Sequence, residues 1–335
     1  MPASVLVTGG AGYIGSHTAR QLVAAGHRVV VVDNFYSGHR WAVPPEAELV
    51  EGNAGDPALL AGLFRRRRVD AVIHFAGHIV VPESVADPAK YYRNNTLASL
   101  ALMQACREAG VGAFLFSSSA AVYGIPARLP AAEDAPTAPI NPYGRSKLMT
   151  EHMLEDLAAA SGGAFRYVAL RYFNVAGAAL DGRLGQATPE ATHLIKVACE
   201  AACGRRPGVQ VFGTDYDTPD GTCIRDYIHV EDLAAAHLAA LDALLDGMDS
   251  AVFNCGYGRG YSVREVLDTL RRVSGVDFPV AETGRRPGDP PALVADNRRI
   301  LAGLPWRPRH DDLELICRTA YAWEREGLAR RRAAG

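Results

Sequence analysis

Short apolar runs alternate with amphipathic stretches along the first half of the chain. Ser4–Thr8, Arg28–Asp33, Glu48–Glu51, Val69–His74, Ala113–Ser117 and Phe165–Arg171 have the length of strands, and most lack the alternation of a sheet with one wet face. Strands covered on both faces pair in parallel. Between them, Ile14–Ala25 and Tyr91–Ala109 carry helical periodicity and stop at Gly26 and Gly110. This rotation of strand and helix predicts an α/β fold, a doubly wound parallel sheet of Rossmann type.

After Arg171 the texture changes. Ala176-Gly177 opens a stretch rich in Gly, Pro and Thr, interrupted by a helix around Ala191–Ala202. It marks a smaller α/β substrate-binding domain towards the C-terminus. A helix at Val230–Leu245 and a strand at Ala251–Asn254 return to the first domain. The expected division is a cofactor domain over 1–175, rejoined by 230–255, and a substrate domain from 176–229 and 256–335.

Composition narrows the class. The 335 residues are 48% hydrophobic and 21% charged, with a net charge of −2, so neither nucleic acid nor a membrane is expected as a partner. The basic runs Arg65–Arg68 and Arg330–Arg332 read as a solvated helix end and a frayed tail. The first strand starts almost at the initiator, so no signal peptide is expected, and no apolar run approaches the roughly 20 residues of a membrane span. Six cysteines without a C-x-x-C pair suit a reducing compartment, and the cytoplasm is the expected address. Cys199 and Cys203, like His74 and His78, lie one helical turn apart without companion ligands, so no metal is expected.

The candidate chemistry sits at strand ends. Gly9, Gly12 and Gly15 fall between a strand and a helix, where glycine permits a tight turn and lets a pyrophosphate meet the helix N-terminus. Asp33 ends the second strand 18 residues after Gly15. Its carboxylate suits two ribose hydroxyls and repels a 2′-phosphate, which favours NAD over NADP. Asn141 and Pro142 read as the cap and first residue of a helix that sets Tyr143 and Lys147 on one face. Ser117, Ser118 and Ser119 end the fifth strand.

Together these residues suit removal of a proton and a hydride from an alcohol. A phenol with pKa about 10 is a poor base at neutral pH, and lowering it by about three units takes roughly 4 kcal/mol. An ammonium at about 4 Å, at an effective dielectric of about 20, supplies that much. Lys147 is therefore expected to activate Tyr143 as general base while Ser119 orients the substrate oxygen. The alternative for the pair is a plain surface helix, in which Lys147 forms a salt bridge with Glu151 one turn on; the glycine turn and the serine strand end favour the catalytic reading.

These residues resemble the extended short-chain dehydrogenase/reductase superfamily, and within it the UDP-glucose (UDP-galactose) 4-epimerases. The matching stretches include Val7–Gly15, His74–Gly77, Glu83–Val85, Ser117–Gly124, Pro142–Met149, Leu170–Asn174 and Gly221–Val230, spread over nearly the whole chain. The resemblance implies reversible NAD-dependent epimerisation of UDP-glucose and UDP-galactose through a 4-keto sugar, with the same mechanism on an N-acetylhexosamine, pentose or uronate nucleotide as the alternative. It implies NAD contacts at Gly9, Gly12, Tyr13, Ile14, Gly15, Asp33, Asn34, Ser37, Gly38, Asn53, Ala54, Phe75, Ala76, Gly77, Ile79, Asn94, Ser117, Tyr143, Lys147 and Phe173. It implies UDP-sugar contacts at Ser119, Tyr143, Asn174, His193, Leu194, Val211, Phe212, Arg225, Tyr227, Arg286 and Asp289, with the two arginines on the diphosphate.

The chain departs from the family's pattern in places. Asn53 stands where Asp is frequent, Ile79 replaces a lysine near the cofactor, and Ala121 stands where Thr is common. Leu293 replaces a bulky Tyr of some members, a smaller wall that bears on admission of a 2-acetamido sugar. Related dehydratases carry Asp-Glu where this chain has Ala120-Ala121, so dehydration lacks its proton donor. The resemblance also implies a homodimer through Tyr91–Ala109 and Tyr143–Ala160, with Leu100, Met103, Met149 and Met153 as candidate contacts.

Overall fold

A computed structural model describes residues 2–286 and 288–333, with the side chains of 328–333 excepted. The strands are β1 (Ser4–Thr8), β2 (Arg28–Asp33), β3 (Glu48–Glu51), β4 (Ala71–His74), β5 (Ala113–Ser117) and β6 (Arg166–Tyr172). There follow β7 (Asn174–Ala176), β8 (Val209–Phe212), β9 (Ile224–His229), β10 (Ala251–Cys255), β11 (Gly260–Ser262), β12 (Val280–Thr283) and β13 (Ala292–Leu293). The main sheet has seven strands in the order β10-β6-β5-β4-β1-β2-β3, and every neighbouring pair is parallel. The chain winds outwards from β1 to β3 and then crosses back to β4. Winding reverses between β1 and β4, and in such sheets a crevice opens there at the strands' carboxyl ends.

The helices are α1 (Tyr13–Ala24), α2 (Pro57–Arg66), α3 (Val81–Ala86), α4 (Pro88–Tyr91), α5 (Ala98–Glu108) and α6 (Pro142–Ala159). Then come α7 (Leu194–Ala202), α8 (Val230–Leu245), α9 (Val263–Ser274), α10 (Arg298–Gly303) and α11 (Leu313–Ala333). Helices α1 and α8 pack together on one face of the sheet. The Gly- and Pro-rich stretch holds small sheets: β9 pairs with β7, β11 and β13, and β8 pairs with β12.

Two helices differ from expectation. Tyr91–Ala109 is not one helix, because a π turn at Tyr92–Leu97 separates α4 from α5. The widened turn carries Asn95, whose side-chain oxygen accepts from His78 N at 2.8 Å and whose amide donates to His78 O at 3.0 Å. That long-range clamp competes with regular helical geometry, as is common for π turns near functional sites. The helix expected from Ala191 starts at Leu194, after Glu190 in the left-handed region at φ 49°.

One apolar cluster includes Val5 and Val31, continues through Leu233 and Ile195, and reaches Val266 and Ile316. A second, on the other side of the sheet, holds Leu6, Leu60, Leu102, Phe114 and Leu154. Met103 belongs to it and is fully buried, so it is no candidate for a subunit contact. Arg65 and Arg66 end α2 in solvent, Arg67 pairs with Glu48 and Arg68 with Asp70. The side chains of Arg330–Arg332 lie outside the described residues. Among the described residues no helix is long and apolar enough to cross a membrane.

Candidate active site

The glycine turn is fixed by contacts only glycine allows. Gly9 has φ 71°, and a Cβ there would lie 2.6 Å from Ala76 N. A Cβ on Gly15 would sit 2.2 Å from the carbonyl oxygen of Gly9. Gly12 is the N-cap of α1 without a side-chain cap, and no acidic residue occupies the first turn. The helix therefore presents its first N–H groups and positive end to the crevice. Asp33 stands beside it: Oδ2 accepts from Ala11 N at 2.9 Å and Oδ1 from Phe35 N at 2.8 Å. A turn with no room for side chains next to a pinned carboxylate fits the pyrophosphate and ribose of NAD.

The cleft above the sheet has a volume of about 1060 Å³. That exceeds the usual range of about 300–1,000 Å³ for a single small-molecule site. Of the expected cofactor and substrate residues, all line it except Ser117, Lys147 and Val211. Lys147 lies behind Tyr143 and reaches the carbonyl of Ser117, so both act from beneath the wall. Val211 is turned into the apolar core, because β8 alternates and buries Val209 and Val211 together. Tyr13 spends its hydroxyl on Gly177 O at 2.6 Å, and Asn53 Oδ1 accepts from Gly55 N at 2.8 Å, leaving its amino group for a ligand.

Helix α6 starts as its sequence implies, with Asn141 Oδ1 accepting from Gly144 N at 2.9 Å and Pro142 following. Tyr143, Lys147 and Glu151 are all buried along one face. Ser119 stands beside the Tyr143 phenol on the cleft wall, near enough to favour its charged form. Lys147 Nζ donates to Ser117 O at 2.8 Å and lies 6.0 Å from the centre of the Tyr143 ring. Burial, and secondarily Tyr172, push the phenol above its usual range, while the nearby Ser119 hydroxyl opposes this. Burial pushes Lys147 down to about 8, opposed by the charge of Glu151. In the chain without its cofactor, loss of solvation outweighs the pull of the Lys147 ammonium at this range.

The alternative of a surface Lys147–Glu151 pair does not form. Glu151 is buried and pairs with Arg171 at 2.6 Å, accepting as well from Ser118 Oγ. His74, at the end of β4, is enclosed between Thr8 Oγ1 at 2.6 Å and Ser99 Oγ at 2.7 Å.

At the far end of the cleft Arg225, on β9, and Arg286 flank Asp289. Arg286 holds it with two bonds, of 2.9 and 3.2 Å, and Arg225 Nη2 lies 3.8 Å from it. His193 lines the same cleft, within reach of the Arg286 charge. Burial and then Arg286 lower its pKa, so it is neutral at pH 7, and Nδ1 accepts from Gln186 Nε2 at 3.0 Å, which leaves Nε2–H as a donor. Gln186 and Thr188 also line the cleft. The sequence gives no periodic signal for them. Tyr172 lines it as well, at the carboxyl end of β6, a position the strand-end rule does point to.

This arrangement matches a known family. The sequence model of the NAD dependent epimerase/dehydratase family covers residues 5–256. The chain belongs to this family. Among the epimerases, the UDP-glucose 4-epimerase of Azospirillum brasilense is 61% identical over 321 residues, covering 96% of this chain and 92% of that one. The UDP-glucose 4-epimerase of Brucella ovis, solved in complex with NAD, matches with a TM-score of 0.93 and 49% identity, covering 96% of this chain and 98% of that one. The enzyme of Bifidobacterium longum, in complex with NAD+ and UDP, matches with a TM-score of 0.92 and 39% identity, covering 97% and 99% of the two chains. The epimerase described here takes NAD as its cofactor.

Proposed function

We propose that the chain interconverts UDP-glucose and UDP-galactose, with Tyr143 as the acid/base of the 4-hydroxyl. The observation that carries this reading is the buried Tyr143 beside Ser119 on one cleft that is also lined by the glycine turn, Arg225 and Arg286. NAD, when bound, supplies a hydride acceptor and a positive charge on its nicotinamide. Gly9, Gly12 and Gly15 would hold its pyrophosphate and Asp33 its ribose. Tyr143 Oη takes the proton from the 4-hydroxyl and later returns it. Ser119 Oγ orients the same oxygen. Lys147, fixed by Ser117 O, keeps an ammonium behind the phenol. Arg225 and Arg286 bind the diphosphate, so the nucleotide is held firmly and the hexose stays free to present either face. Ala120 and Ala121 line the cleft and offer no proton for loss of water.

We assign residues 1–175 with 230–255 to the cofactor side and 176–229 with 256–335 to the UDP-sugar side. All six cysteines are free thiols, which supports a cytoplasmic setting. The enzyme acts as a homodimer in this reading, and Leu97 of the π turn and Met149 of α6 supply exposed apolar side chains for it.

The deciding experiment incubates the purified protein with UDP-glucose, UDP-galactose, UDP-N-acetylglucosamine, a UDP-pentose and a UDP-uronate, and separates the products. Interconversion of the first two without a dehydrated product is expected. Turnover of only the other sugars, or of none, would overturn the reading.

A further inference from the structure

Behind the catalytic wall lies a buried ion pair that the reaction scheme leaves without a role. Glu151 sits one turn after Lys147 on α6, and its side chain is 5% exposed. Arg171, on β6, grips the carboxylate through Nε, at 3.1 Å to each oxygen, and through Nη2 at 2.6 Å. Arg171 Nη1 continues to Tyr123 Oη at 3.0 Å, and Tyr123 donates to Asn254 Oδ1, on β10, at 2.6 Å. The remaining partner of Glu151 is Ser118 Oγ. Ser118 separates the two serines that touch the machinery: Ser117, whose carbonyl receives Lys147, and Ser119, which lies beside the Tyr143 phenol. One carboxylate thus fixes the strand end that carries one catalytic group and lies on the helix that carries the other two.

We propose that Glu151, held by Arg171, is a positioning residue of the epimerisation: through Ser118 and through α6 it sets Ser119, Tyr143 and Lys147 in register. The proposal rests on the reading of Tyr143 as acid/base. Oriented hydrogen bonding of this kind, made by a supporting layer of side chains, is what keeps a reacting constellation within a fraction of an ångström.

Glu151 also acts through charge. The groups around Lys147 are Ser117 O and the Phe116 ring from β5, His74 from β4, Tyr143 and Glu151 from α6, and, through Glu151, Arg171 of β6. Among these, Glu151 is the carboxylate that favours the ammonium. Buried His74 is kept neutral, mainly by loss of solvation and also by Lys147.

The test uses Glu151→Gln and Ser118→Ala in the NAD-loaded enzyme, with the pH profile of kcat, KM for UDP-galactose and thermal stability all recorded. Ser118→Ala cuts the strand-end anchor without changing charge. It should lower kcat between about 10- and 100-fold, the range that small misplacements cost, with KM and the pH profile unchanged. Glu151→Gln should lower kcat similarly and move the alkaline limb of the profile to lower pH, because Lys147 then loses its proton more readily. A protein that is merely less stable, with wild-type kcat and an unmoved limb, overturns the proposal. If Glu151→Gln does not fold, unchanged kcat in Ser118→Ala overturns it alone. Tyr143→Phe is the control: turnover that survives it defeats the acid/base reading, whereas its loss beside unaffected Glu151 and Ser118 variants defeats only the positioning role.

Discussion

The ammonium of Lys147 donates to the carbonyl of Ser117 at 2.8 Å and stands 6.0 Å from the centre of the Tyr143 ring. It is tied to the strand end and not to the phenol. Its charge therefore reaches Tyr143 through space, between two buried side chains. In the protein without its cofactor, both groups are disfavoured in their charged forms.

That burial gives a stability prediction. Lys147 titrates at about 8 in the folded chain, against its ordinary 10.5. Below about pH 8 it is charged both folded and unfolded, and the cost of burying the ammonium is fully present. As pH rises from about 8 towards 10.5, the folded chain releases the proton first and the cost fades. Lys147→Met should therefore stabilise the cofactor-free protein at pH 7, by up to about 3 kcal/mol, while abolishing turnover. Urea denaturation at pH 7 and pH 10 checks this. A variant less stable than the parent at pH 7 would contradict it.

Tyr143→Phe removes one oxygen and leaves the glycine turn and Asp33 intact. Loss of a general acid/base lowers kcat by about 10²–10⁴-fold. Nucleotide released on denaturing the variant should match that of the parent. Ser119→Ala removes one hydrogen bond to the reacting oxygen and should cost less, about 10- to 100-fold.

Arg225→Met and Arg286→Met should act mainly on KM. Each loses a charge-assisted contact worth about 1.5–3 kcal/mol, so KM for either UDP-sugar should rise by about 10- to 100-fold, with kcat nearly unchanged. A large fall in kcat at constant KM would move these residues from the diphosphate to the reacting end.

Gly15→Ala places a carbon 2.2 Å from Gly9 O, in backbone that cannot yield easily. The expected cost is about 1–3 kcal/mol of stability together with loss of co-purifying NAD. Gly26→Ala is the matched control. Gly26 has φ 86° but nothing within 4 Å of an added carbon, so it should lose some stability and keep its NAD.

The parts of the site that were readable beforehand are those whose signals are local. Gly9, Gly12 and Gly15 announce themselves by lying between a strand and a helix, and Tyr143 and Lys147 by sharing a helix face. What the sequence hides depends on distant partners. Glu151 lies one turn from Lys147, yet its strongest bonds go to Arg171, 20 residues on and in another element. The π turn answers to His78, 17 residues before Asn95. Tyr13 has its hydroxyl claimed by Gly177, 164 residues away. An excess of apolar positions on a helix cannot tell core from partner, and Met103, among the candidate contacts, belongs to the core.

One apolar cluster takes in Val5 and Val7 on β1, which leads into the glycine turn, and Tyr227 on β9, two residues from Arg225, so both ends of the cleft lean on a single interior. Melting should then be one cooperative event, and each ligand should raise the same transition. A dinucleotide lodged at one end and a sugar nucleotide at the other protect each other from local opening, although neither ligand need touch its neighbour's anchors.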